Sequence, residues 1–219
     1  MNNKSYALIG IAIPVVFWTA YITLSAIRPE YSLLTKAISE LGSVDAPNKW
    51  LWNFCGYILT GTLISIYAFG LYKNMAVKNS SKLPLYGILF SGLFMIISGI
   101  FPGDFDNKQS VTMLLHTIGS FGSYIFFLLG ALSYVKLMNK TKFWKNAKTP
   151  TLIFTYLTIV FGAWAFVFPE IPALGQRIVF FFYFSWIFYT AVKLHNLNKN
   201  ILNSDSIKGK TICQIKKTK

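Results

Sequence analysis

LPLYGILFSGLFMIISGIF, residues 83–101, runs for 19 positions without a charge. At ~1.5 Å rise per residue, a helix of this length nearly spans the ~30 Å hydrocarbon core of a bilayer. Working outward, comparable apolar runs occupy 6–27, 50–72, 113–137, 150–168 and 177–197. Together they take up most of the 219 residues and bring the apolar share to 54% and the mean hydropathy to +0.49. A soluble domain of this size has no use for that much apolar surface. In lipid only helices satisfy their own backbone groups without closing into a barrel, and no ten-residue alternating pattern occurs. The expected fold class is therefore an all-α integral membrane protein with six transmembrane helices in one bundle. The expected domains are a six-helix unit over 1–199 and a lysine-rich cytoplasmic tail over 200–219, mobile from about Asn198 onward.

The charges between the runs are sorted by sign. Six of the seven acidic residues (Glu30, Glu40, Asp45, Asp104, Asp106, Glu170) fall in the first, third and fifth connections. Of the 21 basic residues, 16 lie at the N-terminus, in the second and fourth connections and at the C-terminal end. Because Lys and Arg are retained in the cytoplasm, both termini are expected inside the cell membrane and the acidic connections outside. The lysines then meet anionic lipid headgroups on the cytoplasmic face. The net charge of +14 does not signal nucleic-acid binding, because no aromatic-interleaved basic surface or binding motif accompanies it. The first run is too long for a signal peptide and lacks a cleavage site, so it reads as a span. Cys55 and Cys213 fall on opposite sides and cannot pair.

The first acidic connection is patterned. Leu33, Leu34, Ala37, Ile38 and Leu41 recur at helical spacing, with Gly42 suited to end a helix. The expectation is a short amphipathic helix over 32–42 lying in the interface, with Tyr31, Trp50 and Trp52 at headgroup depth. Inside the bundle, Gly56 and Thr60, Gly87 and Ser91, and Gly119 and Ser123 have the small-residue spacing of close helix contacts.

His116 is the most informative single residue. In the first turns of the fourth run it shares a face with Gly119, Ser120 and Ser123, and the acidic connections bring Asp104, Asp106, Glu40 and Arg177 to the same end. Ionisable groups near membrane depth face the protein interior and a partner. Several arrangements fit these residue types. Arg177, Glu40 and Asp104 can form ion pairs that only tie loops together, with no ligand. His116 can act as a general base oriented by Asp104, with Ser39 or water as nucleophile, in a hydrolase or transferase working on lipid at the outer leaflet. Asp104, Asp106 and His116, with Glu40, can hold a metal. Or the group, joined by Asn53 and Ser120, can form an outward-facing pocket that binds or moves a small polar molecule or a lipid headgroup. Binding is favoured over catalysis, because no spacing forces a nucleophile and a base together.

Other chemistries are excluded. The second histidine, His195, falls at the opposite end, so the pair cannot ligate a haem. No CxxC, HExxH, phosphate-binding loop or GxSxG sequence occurs, so no nucleotide is expected. Acids are absent from every mid-span, which speaks against a proton relay.

The motifs Ile38-Ser39-Glu40-Leu41-Gly42, Asn53 with Gly56, Gly99-Ile100-Phe101-Pro102-Gly103-Asp104, Leu115-His116-Thr117-Ile118-Gly119 and Gly175-Gln176-Arg177-Ile178 occur in this order. In them the chain resembles a family of bacterial and archaeal membrane proteins catalogued as domain of unknown function 998. The resemblance covers all six runs, roughly 6–197. It implies that Ser39, Glu40, Asp104, His116 and Arg177 belong to one shared site, and it implies no activity.

Overall fold

Each apolar run becomes a helix. In a computed structural model, which describes the backbone of residues 1–217 and the side chains of 1–197, the long helices are α1 (Asn3–Ala26), α2 (Lys49–Met75), α3 (Leu83–Ile100), α4 (Val111–Met138), α5 (Lys148–Val167) and α6 (Pro172–Lys217), with a single helical turn at Lys142–Lys145. The side chains of the tail 200–219, including Cys213, lie outside the description. All six helices are long and apolar enough to cross a membrane, and no strand occurs among the described residues. The chain is an all-helical membrane protein.

Local chemistry sets the helix starts. The Asn2 side chain accepts the Ser5 N–H at 2.8 Å and the Ser110 hydroxyl accepts the Met113 N–H at 3.2 Å, each satisfying a free donor of a first turn. Pro84 and Pro172 sit in first turns, where a missing N–H costs nothing. The lateral distribution of side chains is that of a protein in lipid. On α5 Thr151, Thr155 and Thr158 are fully buried, while Ile153, Tyr156 and Val160 face outward. The threonine hydroxyls of 155 and 158 return to the carbonyls four residues earlier, at 2.7 Å each.

The two ends of the bundle carry different sets of connections. At the acidic end, the Val44 N–H meets the Gly103 carbonyl at 3.0 Å and the Ala173 N–H meets the Leu34 carbonyl at 3.2 Å, so connections one and three interlock and the first is tied to the start of α6. At the lysine-rich end, the Trp144 indole donates to the Asn74 carbonyl, and the Asn74 amide donates to the Asn3 side chain. Between the ends, α3 and α4 approach through glycine. A Cβ on Gly119 would lie 2.6 Å from both the backbone N and the Oγ of Ser98, and one on Gly130 would lie 2.8 Å from the Ile88 N.

Two local features depart from the expected elements. After its α-helical first turn, Lys49–Trp52, α2 is a π-helix over Asn53–Leu59. Trp52, Gly56, Thr60 and Ile64 are all buried at a spacing of four, which would drift around a regular helix of 3.6 residues per turn. The wider i→i+5 turn takes up the excess and keeps this stripe facing inward. The second departure is the interfacial helix expected over 32–42. Only a 3-10 helix forms, over Ile38–Gly42, and it folds into the bundle with Ile38 and Leu41 buried. Tyr31 and Trp52 are likewise buried, leaving Trp50 exposed. The reason is competition for backbone groups: the side chains of Arg28 and Tyr31 in the same connection, of Asn53 on α2 and of Gln176 and Arg177 on α6 claim the carbonyls and N–H groups a longer helix would have used.

Candidate functional site

Arg177 makes that claim most strongly. From the second turn of α6 its Nε donates to the Tyr21 hydroxyl (2.7 Å) and its Nη1 to the Ala173 carbonyl (2.8 Å). Its Nη2 donates to both the Tyr31 hydroxyl (2.7 Å) and the Lys36 carbonyl (2.9 Å). It is 9% exposed, and among the described residues no carboxylate pairs with it. Burial pushes the Tyr31 phenol well above its usual pKa, while the Arg177 charge pulls the other way; the phenol stays neutral. Arg177 is therefore a loop clamp on neutral acceptors. The expected Arg177–Glu40–Asp104 ion pairs are not made, because backbone carbonyls and phenols take the guanidinium's hydrogens instead.

The neighbouring Gln176 completes the clamp by accepting the Ile38 N–H at 2.8 Å through Oε1. Asn53, at the start of the π-helix, donates to the Gly42 carbonyl at 2.9 Å. Glu40 folds back on its own turn, its Oε1 accepting the Ala37 N–H at 2.7 Å, with Lys36 Nζ 4.0 Å from Oε2. Arg28 bridges the Glu40 carbonyl and the Glu30 carboxylate, and that hydrogen bond holds the Glu30 carboxyl below its usual value.

His116 sits deeper and apart from the acids. Its Nδ1 lies 3.0 Å from the Ser98 and Phe101 carbonyls. Carbonyls only accept, so Nδ1 carries the proton and ties the end of α3 to α4. The ring meets Tyr57 edge-on at 6.0 Å. Asp104 is not its partner: that carboxylate accepts the Asn107 N–H at 3.0 Å within its own turn, and Asp106 is exposed. Among the described residues no three of His, Cys, Asp and Glu converge where a cation could be held, so Asp104, Asp106 and His116 are not gathered as a ligand set.

The expected residues thus share one end of the bundle but divide into separate groups. Arg177, Glu40 and Asn53 hold the inward-folded first connection, and Ser39 is buried there beside Tyr57. His116 and Ser120 meet at Ser98, whose Oγ contacts the His116 carbonyl (3.1 Å) and Ser120 Oγ (3.0 Å). Asp104 and Asp106 remain in the third connection.

Next to the Ser98–Ser120 pair lies a cavity of about 230 Å³, bounded by α3, α4, α5 and α6 and touched by Tyr57 of α2. One wall is hydroxyl-bearing, with Ser98, Ser120, Ser123, Tyr124 and Tyr183. The rest of the lining includes the apolar and aromatic side chains of Phe161, Trp164, Val179 and Phe180. None of the described lining residues is charged. Phe121 on α4 and Gly162 and Ala165 on α5 both line the cavity and stand exposed, so it opens on the flank of the bundle between these helices. A second hydroxyl group extends the wall inward: Ser91 Oγ contacts the Ser123 carbonyl (2.8 Å), the Tyr183 hydroxyl (2.9 Å) and the Ser123 hydroxyl (3.3 Å).

Sequence reasoning missed Gln176, Tyr124 and Tyr183. Tyrosines in an aromatic-rich span look like packing residues, and Ser91 read only as a small residue at a helix contact. The one available signal was Gln176, which stands directly beside Arg177 in a motif.

The family profile described as "Protein of unknown function (DUF998)" matches residues 11–193, and the chain belongs to that family. No curated protein and no solved structure matches it significantly.

Proposed function

We propose that this DUF998 protein binds an amphipathic, lipid-like molecule that enters the α3–α6 cavity from the bilayer. The supporting observation is the cavity itself, with hydroxyl-bearing and aromatic residues in an uncharged lining and an opening on the apolar flank. At about 230 Å³ it is smaller than the ~300–1,000 Å³ of sites that enclose a whole small molecule. It suits a head or ring, with the remaining chain lying in lipid. A free polar solute would gain little from the aromatic residues, and an anion or cation would find no counter-charge.

The acidic end faces out of the cell and the lysine-rich end faces the cytoplasm in this reading, which the distribution of Lys and Arg supports. A hydrolase with His116 as base gains no comparable support, because no hydroxyl or carboxylate hydrogen-bonds to the imidazole among the described residues. The test is native mass spectrometry of protein released from nanodiscs. The wild type is expected to retain a lipid adduct that Ser120→Phe, which fills the cavity, loses. An adduct that survives the filled cavity, or none in the wild type, refutes the reading. A reporter fused after Lys219 is expected to read as cytoplasmic, and an external signal reverses the orientation.

A further inference from the structure

The hydroxyl wall has already spent its protons. A hydroxyl has one hydrogen to donate and two lone pairs to offer, and a carbonyl can only accept. Ser98 Oγ lies 3.1 Å from the His116 carbonyl, so the Ser98 proton goes there. The 3.0 Å contact between Ser98 and Ser120 must then be made by the Ser120 proton. The same reasoning applies one layer deeper. Ser91 donates to the Ser123 carbonyl, so the hydroxyls of Tyr183 and Ser123 both donate to Ser91 Oγ and fill its two lone pairs. Tyr124 donates to the Thr158 carbonyl at 3.3 Å, and the Trp164 indole N–H is held by the Ile171 carbonyl at 3.0 Å. Tyr57, the remaining hydroxyl of the lining, faces Ser39 and Trp52.

Four cavity-facing oxygens, those of Ser120, Ser123, Tyr124 and Tyr183, can therefore only accept a hydrogen bond from a guest. The complementary donor is Gln176. Its Oε1 is committed to the Ile38 N–H, which fixes the amide's orientation and leaves Nε2 without a hydrogen bond among the described residues. The lining looks like a set of hydroxyls, yet it presents acceptors with one donor among them.

We propose that the cavity selects a lipid whose head is a hydroxyl group, the O–H donating to the serine and tyrosine oxygens and the oxygen accepting from Gln176. This rests on the reading of the cavity as a ligand site. A carboxylate or phosphate brings only acceptors against acceptors. An ether or ketone reaches Gln176 alone. An ammonium donates but cannot accept, and it carries a charge into a lining without a counter-charge. An alcohol matches both halves of the pattern.

The test uses the full chain in phosphatidylcholine nanodiscs and four probes sharing one tail: dodecan-1-ol, dodecyl methyl ether, dodecylamine and dodecanoic acid. Binding is read by isothermal titration calorimetry. The alcohol is expected to bind about tenfold or more tightly than the ether, which keeps the oxygen but carries a methyl in place of the donated hydrogen, and more tightly than the amine and the acid. Ser120→Phe, checked for wild-type helicity and elution, is expected to abolish the difference. Equal affinity for alcohol and ether, or preference for the acid or amine, overturns the hydroxyl inference while leaving the cavity as a lipid site. No binding of any probe overturns the cavity reading as well. A preference that persists in Ser120→Phe puts the binding elsewhere and also overturns the inference.

Discussion

Replacing Arg177 by methionine removes a guanidinium that makes four hydrogen bonds, to Tyr21, Tyr31, Lys36 and Ala173, while leaving its apolar stem in place. Hydrogen bonds from a charged donor contribute roughly 1.5–3 kcal/mol each. Against them stands the desolvation of a buried cation, several kcal/mol, which methionine avoids. The Ala173 carbonyl lies in the helix ladder and loses least. The Lys36 carbonyl lies in a connection and is left unpaired at a cost of about 1–3 kcal/mol. The expected net loss is about 2–4 kcal/mol. It is measured by denaturant unfolding in mixed micelles, followed by tryptophan fluorescence. Lysine, a point charge with three donors and no planar fork, cannot reach acceptors on both edges of the guanidinium and is expected to recover less than half. A double-mutant cycle with Tyr31→Phe is expected to give a coupling of about 1–2 kcal/mol. A loss below about 0.5 kcal/mol for the methionine variant, or a coupling of zero, refutes the clamp.

Three further outcomes follow from neighbouring contacts. His116→Asn is expected to stay near wild-type stability, because an asparagine amide places its N–H where Nδ1 donates, whereas His116→Ala loses about 1–3 kcal/mol; equal losses would show that the carbonyl contacts do not matter. Gly119→Val drives a branched side chain into the Ser98 backbone and should separate α3 from α4, seen as lost monodisperse protein on size exclusion. Wild-type yield for that variant refutes the close contact. Glu30 has a lowered folded pKa, so the stability it contributes is present above the unfolded carboxylate range and fades as pH falls through the folded value. Amide protection in residues 28–40, measured relative to the intrinsic exchange rate at each pH, should fall below about pH 4 in the wild type and less so in Glu30→Gln; a loss of protection on raising the pH from 5 to 7 would contradict the sign.

The helices were legible because their signal is one-dimensional: a run of apolar residues long enough for a bilayer is visible in any window of the chain. Proline and glycine at the run ends, as at Pro84 and Pro102-Gly103, marked the boundaries to within a few residues. The first acidic connection was not legible in the same way. Leu33 to Leu41 has helical periodicity, but whether 32–42 forms a helix depends on what else competes for its backbone. Tyr31, Arg28, Asn53, Gln176 and Arg177 all do so, across as many as 141 residues of chain. The ion-paired site failed for a related reason. Opposite charges at one end of a bundle look like partners in sequence, yet Arg177 lies where phenols and carbonyls are closer than any carboxylate.

By itself, then, the sequence determined six membrane helices, the sorting of charge between two ends and the residues that gather at one of them, because hydropathy and charge are properties of each segment alone. The tertiary structure decided which hydroxyls face a common cavity, where each of their protons goes, and that Arg177 binds the loop and not an acid. Those are relations between segments far apart in the chain. A hydrogen bond depends on distances of a few tenths of an ångström that only packing can set.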